Sequence, residues 1–406
     1  MTENDEVPAE TTQEPFSKKT LTVEPLSSKV VRNYKLIGRP ISSIQSQEPS
    51  TTEVVRESTE IEGGRESHAR IRRVSYWGLA VVALIILIVL SLGWGRYSLS
   101  PLGLVRAAVA VFVPTPASWH LSAAQETVLM QVRIPRIFAA VVVGAALSGS
   151  GSAYQSMFRN PLVAPDILGV SAGAGFGASL AILLNFPFSV IQLMAFVGGL
   201  IGVTLSIGIA QFVGRGSTVV LVLAGLVVSA LAQALISMTQ YFSDPETTLP
   251  RITFWLLGGL DSVTASSLWL PTILVAVCVV ILYAISWPIT VLAAGEDEAR
   301  SLGIDRRLVW GLVLTATTLM TATVVSVAGI IGWVGLVVPH LARSIVGPSF
   351  HRLLLASLLI GAGFLLAVDD LGRSASSIEL PLGVLTAVIG APFFVALLAK
   401  ARHQWL

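Results

Sequence analysis

The sequence is poor in charge. Only 12% of its 406 residues are Asp, Glu, Lys or Arg, whereas 53% are hydrophobic. Soluble domains carry about 25% charged residues. The shortage lies beyond the first seventy residues: 1–70 hold 12 acids and 9 bases, and the much longer 71–406 hold 12 acids and 17 bases. With a mean hydropathy of +0.77, this composition excludes a soluble enzyme and a nucleic-acid-binding protein with a basic face, and indicates a membrane protein.

Cysteine and the motifs of catalysis are also scarce. The single cysteine, Cys278, excludes an internal disulfide. No lysine lies between Lys35 and Lys400, so the Gly-x-x-x-x-Gly-Lys loop that binds nucleotide phosphates cannot occur in the apolar part of the chain. The five histidines are scattered, which argues against a metal site. We therefore predict no catalytic residue, no metal and no cofactor on this chain; if ATP drives transport here, ATP and Mg²⁺ bind to another polypeptide.

The first 69 residues differ from the rest. Residues 1–69 are rich in Glu, Ser, Thr, Pro and Lys and have no sustained apolar periodicity. Such a segment buries too little apolar surface to offset its ordering entropy, so we predict a disordered polar tail in the cytoplasm. The pattern leaves open whether the tail is a regulatory segment or only a solvated extension.

Ten apolar stretches follow in 70–406, which we interpret as one transmembrane domain. The first runs from Trp77 to Trp94, about 27 Å of helix at about 1.5 Å per residue, with a ring at each interface. The others lie at about 134–157, 166–184, 187–213, 218–242, 268–290, 308–327, 329–346, 351–371 and 380–400. The sequence predicts an all-α polytopic protein with ten transmembrane helices.

Charge supports this topology. With the N-terminus in the cytoplasm, alternating the spans leaves twelve Lys and Arg residues inside and six outside, and both termini are then cytoplasmic. By these boundaries no acid lies in the middle of a span, which disfavours an ion-coupled carrier. The acids nearest to span ends are Asp166, Asp369, Asp370 and Glu379.

Three groups of motifs carry a resemblance. The first begins with Arg133-Ile134-Pro135-Arg136, continues through Gly144-Ala145-Ala146-Leu147-Ser148-Gly149, and ends in Arg159-Asn160-Pro161-Leu162. The second is Gly295-Glu296-Asp297-Glu298-Ala299-Arg300-Ser301-Leu302-Gly303. The third contains Pro339-His340-Leu341-Ala342-Arg343, with Glu379-Leu380-Pro381-Leu382-Gly383 and Gly390-Ala391-Pro392-Phe393-Phe394 after it. In this order they resemble the FecCD-type permease subunits of bacterial ABC importers for iron chelates, haem and vitamin B12, over about 75–402.

The resemblance implies an architecture and partners. It implies an inverted repeat of spans 2–5 and 7–10, a second permease subunit (identical or homologous), two ATPase subunits in the cytoplasm, and a solute-binding protein outside. The chain would lie in the bacterial cytoplasmic (inner) membrane and import a ferric siderophore, with haem and cobalamin as alternatives. An ion-coupled secondary carrier and an intramembrane enzyme are the rival classes.

The resemblance also implies three sets of functional residues. Exposed arginines at the outer ends of spans 2 and 9 would dock the binding protein; the matching residues are Arg133, Arg136 and Arg373. Alternatively, the first two anchor span 2 at the headgroups, or Arg373 pairs with Glu379. The inner loop is predicted to form a short helix that begins with acids and is closed by Gly303. It would couple to the ATPase through Glu296, Asp297, Glu298, Ala299, Arg300 and Gly303, although it resembles an ordinary solvated loop as well. Span 5 would line the translocation path, or use the same polar side chains to bind other helices, through Gln233, Ser237, Met238, Thr239 and Gln240.

Overall fold

The computed structural model describes residues 77–95, 121–214, 217–375 and 379–402, and every regular element in those ranges is helical. In chain order the helices are α1 (Trp77–Gly93), α2 (Ala123–Met157), α3 (Val170–Leu183), α4 (Phe188–Val213), α5 (Thr218–Tyr241), α6 (Thr248–Leu257), α7 (Ala265–Ala284), α8 (Ser286–Ala294), α9 (Glu296–Ser301), α10 (Arg306–Ala328), α11 (Val334–Val346), α12 (Phe350–Ser374) and α13 (Leu382–Arg402). The predicted tail, 1–69, lies outside the described residues and stays a prediction.

The described helices correspond closely to the predicted spans. Six are long and apolar enough to cross a membrane: α2, α4, α5, α7, α10 and α12. The other four predicted spans coincide with the shorter apolar helices α1, α3, α11 and α13. Some predicted span limits are wrong. The stretch 268–290 divides into α7 and α8 at Ile285, and 329–346 becomes helical only at Val334.

Glycine allows the helices to cross at very short distances. A Cβ on Gly144 of α2 would lie 2.2 Å from the carbonyl oxygen of Gly361 in α12, and a Cβ on Gly361 would lie 2.4 Å from that of Gly144. Gly173 of α3 and Gly198 of α4 face one another in the same way, at 2.3 and 2.4 Å. Lipid provides no hydrophobic drive between helices, so this close backbone contact stabilises the bundle.

The break between α10 and α11 has an unusual backbone. Gly329 has φ +67°, and a Cβ there would lie 2.3 Å from the carbonyl oxygen of Trp255. Trp333 then enters α11 with φ +69°, a conformation that costs a bulky L-residue energy. Its ring packs edge-on against Phe394 of α13, with centroids 6.3 Å apart. The helices are therefore interrupted between Ala328 and Val334.

Polar contacts between helix termini form two groups. Each of α2, α10 and α12 has one of its ends in the first group and its other end in the second. We call them the Arg136 end and the Ala299 end. Contacts at the Arg136 end are Arg136–Asp369, Ser91–Asp370, Gly259 N–Ala328 O, Leu382 N–Gly258 O and Arg251–Asn185. Contacts at the Ala299 end are Arg159–Leu292 O, Arg343–Ser156, Phe350 N–Thr290 and Arg306–Glu296.

Candidate functional site

A buried cluster of charged residues lies at the Arg136 end. Arg133 and Arg136 lie at the junction where six residues of π-helix, Val128–Arg133, pass into the regular α-helix of α2. Asp369, Asp370 and Arg373 lie in the last turns of α12, and Glu379 precedes α13. Three guanidiniums therefore face three carboxylates, and the formal charges of the cluster cancel.

Arg136 is the centre of the cluster. Its Nε donates to both oxygens of Asp369, at 3.0 and 3.1 Å, and its Nη2 lies 3.0 Å from Asp369 Oδ1. The other edge of the guanidinium, Nη1, donates to Glu379 Oε2 at 2.8 Å. Arg136 thus holds α2, α12 and the segment before α13 together through charge-assisted hydrogen bonds.

Arg373 and Arg133 connect α1 to the same cluster. Arg373 pairs with Asp370 and lies 3.1 Å from Asp369 Oδ2, and its Nη2 donates to Ser91 at 3.0 Å. Arg133 donates to the carbonyl of Leu92. Gly95, with φ +143°, lies above both arginines, since a Cβ there would come within 3.0 Å of Arg133 Nη2.

The predicted exposure of the three arginines is therefore wrong. Arg133, Arg136 and Arg373 are 3, 7 and 7% exposed, because each guanidinium turns inward to an acid or a carbonyl rather than outward to solvent. The alternative pairing of Arg373 with Glu379 is also wrong, since Glu379 binds Arg136. Docking of a partner by these arginines stays a prediction.

Sequence reasoning missed two acids of this cluster as partners of the arginines and paired the third, Glu379, with Arg373 instead of Arg136. Asp369 and Asp370 precede Arg373 by four and three residues, a spacing that places opposite charges on one face of a helix. An acid at the end of an apolar helix requires a partner, so this spacing was a usable signal. The partnership of Asp369 with Arg136 spans 233 residues and has no local signal.

A second candidate site lies at the Ala299 end. The acidic residues Glu296, Asp297 and Glu298 form the first turn of α9, where the helix dipole favours negative charge. Ala299 is buried in the main core, whereas the charged residues around it are exposed. Gly303, with φ +73°, ends the helix, and Ile304 N closes it by donating to Ala299 O at 2.9 Å. The short helix predicted here is confirmed; its role in coupling stays a prediction.

Neighbouring residues hold α9 in place. Arg306 lies 3.3 Å from Glu296, and its guanidinium lies over the ring of Trp310, 5.2 Å from the centroid. Arg306 and its two partners, Glu296 and Trp310, line a cavity of about 220 Å³ between α2, α8 and α10. Arg159, just after α2, joins this end of α2 to α8 by donating to the carbonyl of Leu292 at 3.1 Å.

The polar residues of α5 do not all face the same way. Gln233, Ser237 and Met238 are exposed, and Gln240 is half-buried on the same side. Thr239 is buried, and its hydroxyl donates to Ile236 O at 2.7 Å. Thr239 therefore lies on the packed face of α5, because a helix turns about 100° per residue; its part in a translocation path stays a prediction.

Beyond α5, the loop at the Arg136 end forms an additional helix, α6, that sequence reasoning missed. Asp244 organises the loop by accepting from the amide and the hydroxyl of Thr247, both at 2.8 Å. These bonds stabilise the carboxylate and lower the pKa of Asp244 from its usual value. Arg251 of α6 then reaches Asn185, in the turn between α3 and α4.

Comparison with known proteins identifies the family to which this architecture belongs. The model of the FecCD transport family matches residues 83–400. The chain belongs to the FecCD transport family. As a member it is a permease of the ABC-importer type, and its relatives are transport proteins rather than enzymes.

The relatives named for a cargo differ in what they carry. The molybdate import system permease protein MolB of Haemophilus influenzae is 38% identical, over 80% of this chain and 96% of its own length. The vitamin B12 import system permease protein BtuC of Klebsiella pneumoniae is 40% identical, over 71% and 87%. A probable iron chelatin transport system permease protein of Helicobacter pylori is 38% identical, over 68% and 83%.

The fold is shared with a solved transporter structure as well. That structure, described as an inward-facing conformation of a metal-chelate type ABC transporter, superposes with a TM-score of 0.69 at 38% identity. The match covers 79% of this chain and 97% of the other. The all-helical FecCD permease fold follows from it.

Proposed function

We propose that this FecCD permease carries a ferric siderophore into the cytoplasm, driven by ATP hydrolysis on two separate ATPase subunits. The observation that carries the proposal is the family match over 83–400, together with relatives and a solved structure of metal-chelate importers. Haem and cobalamin remain alternatives. Because molybdate and vitamin B12 permeases are among the relatives, molybdate and cobalamin are tested as cargoes directly against the siderophore.

The proposed topology has ten spans with both termini in the cytoplasm of a bacterial cell. Ten apolar helices at the predicted positions, within the ranges that the structure describes, support the count. The polar contacts at the Arg136 end join predicted outer termini and those at the Ala299 end join predicted inner termini, which supports the alternation. The Arg136 end is then outside and the Ala299 end is in the cytoplasm.

The proposed inverted repeat pairs α2–α5 with α10–α13. The regular part of α2 (Ile134–Met157) and α3, α4 and α5 have 24, 14, 26 and 24 residues. Their counterparts have 23, 13, 25 and 21. The packing of the two halves corresponds as well. The first helix of one half, α2, packs on the third helix of the other, α12, and likewise α10 packs on α4. Such repeats are typical of transporters that switch access to a central path.

Each end would bind a different partner. The charged rim of α9 around the buried Ala299 is suited to a rigid contact with an ATPase subunit in the cytoplasm. The Arg136 cluster would receive an acidic solute-binding protein outside. Between them, the exposed face of α5 at Gln233 and Ser237 would line the path, next to a second permease subunit.

Uptake measurements test this function. Permease reconstituted with its ATPase subunits and binding protein should take up a radiolabelled ferric siderophore only with ATP. Uptake driven by an ion gradient alone would instead identify a secondary carrier, and turnover of the cargo without transport would identify an enzyme. Parallel assays with haem, cobalamin and molybdate decide the cargo.

A further inference from the structure

The partners of Arg136 differ greatly in their access to solvent. Asp369 is completely buried and binds the Nε and Nη2 edge of the guanidinium, whereas the side chain of Glu379 is 40% exposed and binds only Nη1. Asp370 binds Arg373 instead and is 14% exposed. An approaching carboxylate could therefore replace one acid of Arg136 without unpacking the helices, and that acid is Glu379.

We infer that Glu379 is an internal competitor for the docking partner: it occupies the Nη1 edge of Arg136 that a carboxylate of the solute-binding protein takes over on docking. The inference rests on the proposed docking at this end. It gives Glu379 a specific role, since this residue sets how strongly, and at what salt concentration, the partner is captured.

The charge balance of the cluster supports an exchange rather than a simple addition. Three arginines and three acids already cancel, so the free permease presents no surplus positive charge here. An exchange of one carboxylate for another keeps Arg136 paired before and after docking. It thereby avoids an unpaired buried cation, whose desolvation is costly. Asp369 stays in place throughout and keeps α2 and α12 joined.

An intramolecular competitor weakens capture in a predictable way. A tethered group acts at an effective concentration of about 1 mM or more, so the partner must displace it to bind. Glu379→Gln removes the charge and leaves the Nη1 edge available. Since a charge-assisted hydrogen bond has a net free energy that corresponds to about a tenfold change or more in an equilibrium constant, we expect the Kd for the partner to fall about tenfold.

Salt dependence distinguishes competition from a general change in charge. Docking on the wild type exchanges one ion pair for another, whereas docking on Glu379→Gln forms a new pair. The variant should therefore lose affinity more steeply as salt rises. Glu246→Gln is the matched control, because it removes the same charge from the exposed loop before α6, away from Arg136.

The experiment uses the permease with its ATPase subunits in lipid nanodiscs, titrated with the fluorescently labelled solute-binding protein of the same transporter at several salt concentrations. A lower Kd with a steeper salt dependence for Glu379→Gln, and an unchanged Kd for Glu246→Gln, supports the inference. An unchanged or higher Kd for Glu379→Gln overturns it.

An arginine variant separates this inference from the docking proposal itself. Arg136→Gln leaves Asp369 with Arg373 as its partner, so the cluster keeps one buried ion pair. If Arg136→Gln weakens binding but Glu379→Gln does not strengthen it, only the competitor role fails. If neither variant changes binding, docking at this cluster fails as well. Thermal unfolding of each variant establishes that the protein is folded.

Discussion

Arg136 of α2 and Asp369 of α12 form a buried ion pair, with 3.0 Å between Nη2 and Oδ1 and no solvent access to the acid. The two residues lie 233 positions apart in the sequence, and Arg373 lies 3.1 Å from the same carboxylate. One buried acid therefore contacts two guanidiniums, whose other acids, Glu379 and Asp370, are more exposed. This arrangement makes Asp369 the residue on which the stability of the cluster depends.

Asp369→Asn should destabilise the protein strongly. The substitution keeps the shape of the side chain but leaves two buried guanidiniums with one counter-ion fewer. Removing one partner of a buried pair costs about 3–5 kcal/mol. Thermal unfolding in detergent should show a clearly lower Tm. Asp297→Asn, in the exposed first turn of α9, is the control and should leave the Tm unchanged. Equal Tm values for both variants would contradict burial of this ion pair in the membrane-embedded protein.

Gly144→Ala should lower the stability of the protein much more than Gly208→Ala does. The new Cβ would lie 2.2 Å from the Gly361 carbonyl, so backbone rather than a side-chain terminus must move, and α2 and α12 must separate. Overpacking of this kind costs about 1–3 kcal/mol or more. Gly208→Ala in α4, where nothing lies within 4 Å, should be neutral. Unfolding in graded denaturing detergent compares the two. A tolerated Gly144→Ala would show that this crossing is looser than described.

The positions of the helices could be predicted from composition alone. The prediction 134–157 coincides with the regular part of α2, because a long apolar run has no stable alternative to a helix in lipid. Predictions were less accurate where backbone geometry decides. The span predicted to begin at 166 begins as helix only at Val170, since a short 3₁₀ turn and Gly169 in the left-handed conformation intervene. Extension of α2 back to Ala123 was not predicted, because that segment is polar at its start.

The chemistry of the Arg136 cluster could not be predicted from sequence. Residue types at Arg133, Arg136 and Arg373 indicated positive charge at the outer end, but the direction of each side chain depends on acids that are distant in sequence. The same limit applies to the burial of Thr239, because its surroundings are set by the neighbours of α5. In contrast, α9 was predicted correctly, because its acidic first turn and closing Gly303 are local signals.

Ala299→Lys should uncouple ATP hydrolysis from transport. Ala299 is the buried contact of α9 with the core, and an unpaired charge does not remain in such a position without a cost of several kcal/mol. The short helix should leave its place while the ten apolar helices stay folded. We expect ATP-driven uptake to fall about tenfold or more, with ATP hydrolysis by the partner subunits retained. Ala265→Lys, the same substitution at an exposed position at the start of α7, is the control. Normal uptake by Ala299→Lys would contradict a coupling role for α9.

Cysteine labelling should place the two ends on opposite sides of the membrane. The one native thiol, Cys278, is buried within α7, so Cys278→Ser provides an unreactive background at little structural risk. Single cysteines in place of Glu246, in the loop before α6, and of Asp297, in α9, then report on one exposed position at each end. In intact spheroplasts, a membrane-impermeant maleimide should label Glu246→Cys. Asp297→Cys should react only after permeabilisation. Five predicted spans separate the tail from Glu246, and one more separates Glu246 from Asp297. Labelling of both positions from outside would therefore contradict the single span predicted between them. Such a result would also remove α9 from the reach of a cytoplasmic ATPase.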